Sequence, residues 1–166
     1  MIEMSVHAVL YSLLSRHRIV LLKESNGERY LPIWIGSNEA EAIAMRLQGG
    51  NVPRPLTHDL LANMISELGG DVQHIVVNDL RNNTFYARIA IEQNDKLNLV
   101  DSRPSDAIAL AVRIEVPIYA EEGVMDKAGI VPSPEIREGV ERGKSEDLDV
   151  FRDFVDGLDL DNLEEE

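Results

Sequence analysis

Cysteine is absent from this chain of 166 residues, which excludes disulfides, thiolate catalysis and any zinc site built on cysteine. Aromatic residues are sparse, at 5%. No apolar run reaches membrane length: the stretch 8–14 ends at Arg16-His17-Arg18, and Met1-Ile2-Glu3-Met4 offers no basic leader region. Neither a signal peptide nor a membrane span is expected, and the expected location is cytoplasmic. Also missing are a Walker loop, G-x-S-x-G, H-E-x-x-H and a dinucleotide fingerprint. Gly49-Gly50 and Gly69-Gly70 are too short to serve as phosphate loops.

What remains is an ordinary globular composition, 44% apolar and 28% charged, long enough to bury most of the apolar surface of one domain. The net charge of −14 opposes nucleic-acid binding in total, because phosphate affinity comes largely from charge neutralisation. Its distribution is uneven. Residues 135–166 hold 13 Asp and Glu against 4 Lys and Arg, a net of −9, whereas residues 1–134 hold 17 against 12, a net of −5. A basic patch on the body is compatible with that balance. The break Pro132-Ser133-Pro134 therefore divides a domain over 1–132 from an acidic tail over 133–166. Within the tail Leu148, Phe151, Val155 and Leu158 recur at helical spacing, as in a short amphipathic helix.

Along the body, residues 2–12 alternate as a strand. Runs 18–24 and 29–35 flank Ser25-Asn26-Gly27, a strong hairpin signal. A helix is expected from Gly36-Ser37-Asn38 to about Gln48, with Asn38 and Glu41 spaced as a capping box. A second begins at Thr57 as N-cap, carries the stripe Leu60, Leu61, Met64, Ile65 and Leu68, and closes at Gly69-Gly70. Runs 72–80, 84–92 and 96–100 read as a meander. In it Phe85, Ala87, Ile89 and Ile91 share one face, and Thr84, Tyr86, Arg88 and Glu92 the other. Pro104 opens a third helix over 105–113, apolar nearly all round and so buried, and 117–120 is a short strand. The expected fold is α+β, a mixed, largely antiparallel sheet with helices packed on it. Residues 37–45 align with 102–110 at an offset of 65, which raises a duplicated β-β-β-α unit as one reading and coincidence as the other.

Two polar clusters stand at predicted helix starts: Arg54-Pro55-Leu56-Thr57-His58-Asp59 and Asp101-Ser102-Arg103-Pro104-Ser105-Asp106. Free N–H groups and the positive dipole end favour anions there, and an arginine adds bidentate phosphate geometry. Brought together, the two ends would form a phosphate cradle edged by carboxylates able to hold Mg²⁺ or Mn²⁺, with His58 or a carboxylate as general base. Each residue also has a purely structural reading. Thr57 is a cap, Asp59 and Asp106 favour a helix start, and His58 sits at the edge of an apolar stripe. Capping alone explains neither arginine.

Leu31-Pro32-Ile33-Trp34-Ile35-Gly36 with Glu39-Ala40, then Arg54-Pro55 with Thr57-His58-Asp59-Leu60-Leu61, then Thr84-Phe85-Tyr86-Ala87 and Asp101 through Ala111 resemble the bifunctional nuclease domain family over about residues 1–132. The resemblance implies cleavage of DNA and RNA, the activity described for plant relatives. Matching positions are Glu39, Arg54, Thr57, His58, Asp59, Asp101, Arg103, Ser105 and Asp106. From these we assign His58, Asp59, Asp101 and Asp106 to catalysis, Arg54, Thr57, Arg103 and Ser105 to phosphate binding, and Asp101, Asp106 and Glu39 to a divalent metal. No organic cofactor is expected. Two other functions compete with the nuclease: a non-catalytic nucleic-acid- or protein-binding module, and a sensor of phosphate or nucleotide. A homodimer is expected through the stretch 31–35, where Trp34 is read as partly exposed, and the apolar residues of the tail.

Overall fold

The computed structural model describes residues 1–11 and 17–133; the expected tail helix lies outside them. The elements run β1 (Ile2–Tyr11), β2 (Arg18–Glu24), β3 (Tyr30–Ile35), α1 (Ser37–Leu47), α2 (Thr57–Glu67), β4 (Asp71–Arg81), β5 (Thr84–Gln93), β6 (Lys96–Ser102), α3 (Pro104–Ile114), β7 (Ile118–Ala120) and α4 (Glu122–Ala128). The strands form one seven-stranded sheet in the order β3-β2-β1-β7-β4-β5-β6. Every described pairing is antiparallel except β4 with β7. The fold is α+β, as the sequence indicates.

Two meanders, β1-β2-β3 and β4-β5-β6, flank β7, and each is followed by a helix; the last strands of the two meanders, β3 and β6, run in opposite directions. Tight asparagine turns make the second meander. Asn82 and Asn83 have φ of 48° and 54°, and Asn94 and Asp95 have 52° and 57°, the left-handed pairs that match hairpin twist. Three residues of β7 bridge the halves, with Ile118 opposite Met4 of β1 and opposite Ile75 of β4.

The core lies between the sheet and the helices. Ala107, Ile108, Ala109, Leu110 and Ala111 are fully buried, which is why α3 carries apolar residues nearly all round. The alanines let it lie close between α1, α2 and strands β4 and β5. Trimming Ile108 to alanine would cost about 2–5 kcal/mol by leaving a cavity there. On the opposite sheet face Leu10, Ile19, Leu21 and Tyr30 form a second cluster, joined by Trp34.

Three local expectations are corrected. Helix α1 begins at Ser37 with Gly36 as N-cap, so Asn38 and Glu41 do not form a capping box. Thr57 is the first helical residue of α2 rather than its cap: Leu56 takes that place, and its N–H donates to Asp59 Oδ2 at 2.8 Å. Leucine has no acceptor to return, so only half a capping box exists. The α2 stripe is split as well. Leu61 and Ile65 pack on the core, whereas Leu60, Met64 and Leu68 are at least half exposed.

Candidate functional site

The first turns of three helices converge. Pro104 fixes the entry to α3 and leaves Arg103 as its N-cap, in extended backbone, with the guanidinium free to reach sideways. Arg103 Nε donates to Asp106 Oδ2 at 2.8 Å, and its Nη2 donates to Glu39 Oε1 of α1 at 2.8 Å. Asp106 Oδ1 lies 2.9 Å from Nε2 of His58 in α2. Glu39, Arg103, Asp106 and His58 thus form one continuous chain. Gly36 makes room for it, since a Cβ at that position would meet the Glu39 carboxylate.

The chain is graded in burial. His58 is buried, Asp106 and Glu39 are partly covered, and Arg103 has 66% of its side chain exposed. Burial pushes the Asp106 carboxyl up, but the hydrogen bonds from Arg103 and His58 outweigh it and hold Asp106 below the usual carboxylate range. The Arg103 guanidinium is pushed up by Asp106 and then Glu39. With Asp106 ionised, His58 Nε2 carries the hydrogen and donates it. In the neutral ring that leaves Nδ1 as the acceptor, and Nδ1 has no protein hydrogen bond among the described residues.

A second arrangement sits beside this one. Asp59 Oδ1 accepts from Arg113 Nε at 2.7 Å, and Arg113 also donates to Ala109 O and Ala42 O. Arg113 is nearly buried and ties α1, α2 and α3 together. Burial raises the Asp59 carboxyl, but the Leu56 N–H and then Arg113 reverse this and leave it lowered. Arg54 is exposed and lines a cavity of about 350 Å³ with Arg46, Arg113 and Asp59.

Of the residues expected to share one pocket, His58, Arg103 and Asp106 are in contact, and Glu39 joins them. Arg54 and Asp59 belong to the neighbouring cavity. Asp101 stands apart, opposite Arg88 of β5, on the sheet face away from Ile89 and the helices. Thr57 is exposed, and Ser105 is buried in the first turn of α3, where it lines a larger cavity of about 550 Å³ that opens beside Arg103. The sequence reading missed Arg113; an arginine in the last turn of an otherwise apolar helix was its only signal.

Among the described residues no three His, Asp or Glu side chains are grouped so as to hold a metal ion. The set Asp101, Asp106 and Glu39 does not fit one. Asp101 faces away, and a guanidinium stands between the other two carboxylates. Nor is any helix among the described residues long and apolar enough to cross a membrane.

Residues 20–133 match the family model described as the bifunctional nuclease domain. A Mycobacterium tuberculosis H37Rv protein described as uncharacterised is 42% identical over 146 residues, which cover 87% of each chain. Bifunctional nuclease 1 of Oryza sativa subsp. japonica is 26% identical over 117 residues, 69% of this chain and 35% of the rice protein. Bifunctional nuclease 2 of Arabidopsis thaliana is 28% identical over 110 residues, 64% of this chain and 33% of its own length. The matched region thus covers about a third of these plant proteins.

Proposed function

The chain belongs to the bifunctional nuclease domain family, and from that membership we propose that it hydrolyses phosphodiester bonds in DNA and RNA. The observation that supports this most is the chain from exposed Arg103 through Asp106 to buried His58. Arg103 uses Nε and Nη2 within the protein, and Nη1 has no protein partner among the described residues. That nitrogen, together with the α3 N-terminus, receives a phosphate oxygen.

His58 acts as general base through Nδ1, and Asp106 holds the ring and stabilises the imidazolium. A water loses its proton to Nδ1 as its oxygen bonds to phosphorus. The P–O bond to the leaving strand breaks, and the proton passes to that oxygen through solvent. Arg103 offsets the charge gathering on the phosphate.

The test is cleavage of single- and double-stranded substrates with Mg²⁺, Mn²⁺ and EDTA, comparing wild type with an Arg103→Gln variant purified in parallel. Arg103→Gln should lose cleavage while keeping the fold. Equal cleavage by both proteins would assign the activity to a contaminant or another site and leave the non-catalytic binding module as the better reading. Trp34 is partly exposed, as expected, while packing on the second cluster; we propose that two copies meet on the more exposed stripe Leu60, Met64 and Leu68. A monomer mass by light scattering contradicts it.

A further inference from the structure

The cavity of about 550 Å³ beside Arg103 plays no part in the proton transfer, and its size lies within the roughly 300–1,000 Å³ of small-molecule sites. Its floor is the surface of the core itself: Ile33 and Leu80 are buried, and Phe85, opposite Leu80 in the β4–β5 pair, packs on the same core while lining the space. Its rim is polar. Asn83, in a left-handed position of the β4–β5 turn, and Arg103, of the Glu39–Arg103–Asp106 chain, both line it, together with His17 and Thr84.

We infer that this cavity is a nucleobase subsite, which takes one unpaired base while the attached phosphate rests on Arg103. The proposal rests on the nuclease reading, and it names the substrate as an unpaired strand. Three features select a base with its phosphate. An aromatic ring and aliphatic floor suit a flat, weakly polar heterocycle, since every base offers a π face for stacking. The Asn83 amide supplies a donor and an acceptor for a base edge. The Arg103 guanidinium on the rim matches the charge of an adjoining phosphate. A base within a duplex cannot enter without leaving its stack, so paired substrates are disfavoured.

The experiment is calorimetric titration of the full chain with adenosine 5′-monophosphate, ribose 5-phosphate and inorganic phosphate. The nucleotide should bind about tenfold or more tightly than ribose 5-phosphate, the scale of one base stacked on an aromatic ring. Phe85→Leu, which keeps apolar volume without the ring, and Asn83→Gly, which keeps the turn, should each shrink that ratio. Arg103→Gln should weaken both phosphorylated ligands alike. Equal binding of nucleotide and ribose 5-phosphate overturns the subsite, as does a ratio untouched in both cavity variants. Strand cleavage by a protein that binds the nucleotide and ribose 5-phosphate equally removes the subsite and leaves the nuclease reading. Base-selective binding by a protein that cleaves nothing keeps the subsite and removes the nuclease reading.

Discussion

Asp106 Oδ1 lies 2.9 Å from His58 Nε2 although 48 positions separate the two residues in the chain. Asp106 has its other oxygen on Arg103, so this carboxylate is the junction between a buried imidazole and an exposed guanidinium. Removing the Asp106 charge should therefore act at both ends. Asp106→Asn is expected to abolish strand cleavage and to weaken phosphate binding at Arg103, with stability lowered by about 1–3 kcal/mol for the lost charged hydrogen bonds. Urea unfolding and a phosphate titration on one preparation check this, and unchanged phosphate affinity would contradict it.

The same carboxylate sets an acid limit on stability. Asp106 and Asp59 are both held below their ordinary values in the folded chain, so the unfolded chain binds more protons as pH falls through that range. Their contribution is complete above about pH 4, the unfolded carboxylate value, and is lost as pH drops through the lowered folded values. Melting temperatures from pH 6 to pH 2 should fall steeply below pH 4, and less steeply in Asp106→Asn. Identical slopes would contradict the assignment.

Arg113 is expected to matter to folding more than to chemistry. It is nearly buried, pairs with Asp59 and caps two carbonyls of other turns. Arg113→Met leaves Asp59 without its partner and should cost about 3 kcal/mol. The double variant with Asp59→Asn should recover part of that loss, and denaturation midpoints of the four proteins measure the coupling.

Much of this was legible in the residues. The Ser25-Asn26-Gly27 hairpin, strand β2 and helix α3 with Pro104 at its first position follow from turn chemistry, alternation and a proline's fixed φ. The strand 117–120 was visible, but its place between β1 and β4 was not, because three residues carry no signal for their partners. Helix α4 escaped notice, being only Glu122–Ala128. At the site, Arg103 and Asp106 were legible as a helix start. Asp101 was grouped with them by sequence closeness, whereas strand alternation sends it to the other face. The Arg103–Glu39 contact spans 64 positions, and nothing local to either residue announces it.

Glu115 closes α3 in the left-handed region, with φ 59° and ψ 41°. A side chain there costs about 1–2 kcal/mol, and glycine would give back part of that through backbone entropy. The exposed Arg46–Glu115 pair contributes little. Glu115→Gly should stabilise by about 0.5 kcal/mol, read as a raised melting temperature; a lowered one would contradict this.

The acidic stretch 135–166 should hold polyanions away from the body. Truncation after residue 133 is expected to leave cooperative melting intact and to raise oligonucleotide affinity more at 50 mM salt than at 300 mM, because exposed charges are screened beyond about 10 Å at 0.1 M. Equal affinities for the two forms across a salt series would contradict it, and loss of cooperative melting would make the stretch part of the domain.

The central claim is that His58, held by Asp106, takes a proton from the attacking water. Single-turnover cleavage of a labelled single-stranded oligonucleotide by wild type and His58→Gln, prepared in parallel and with melting curves recorded for both, tests it most directly. The account predicts a rate lowered about 10²-fold or more in His58→Gln, with the substrate still bound through Arg103. A folded His58→Gln protein that cleaves at the wild-type rate would contradict it.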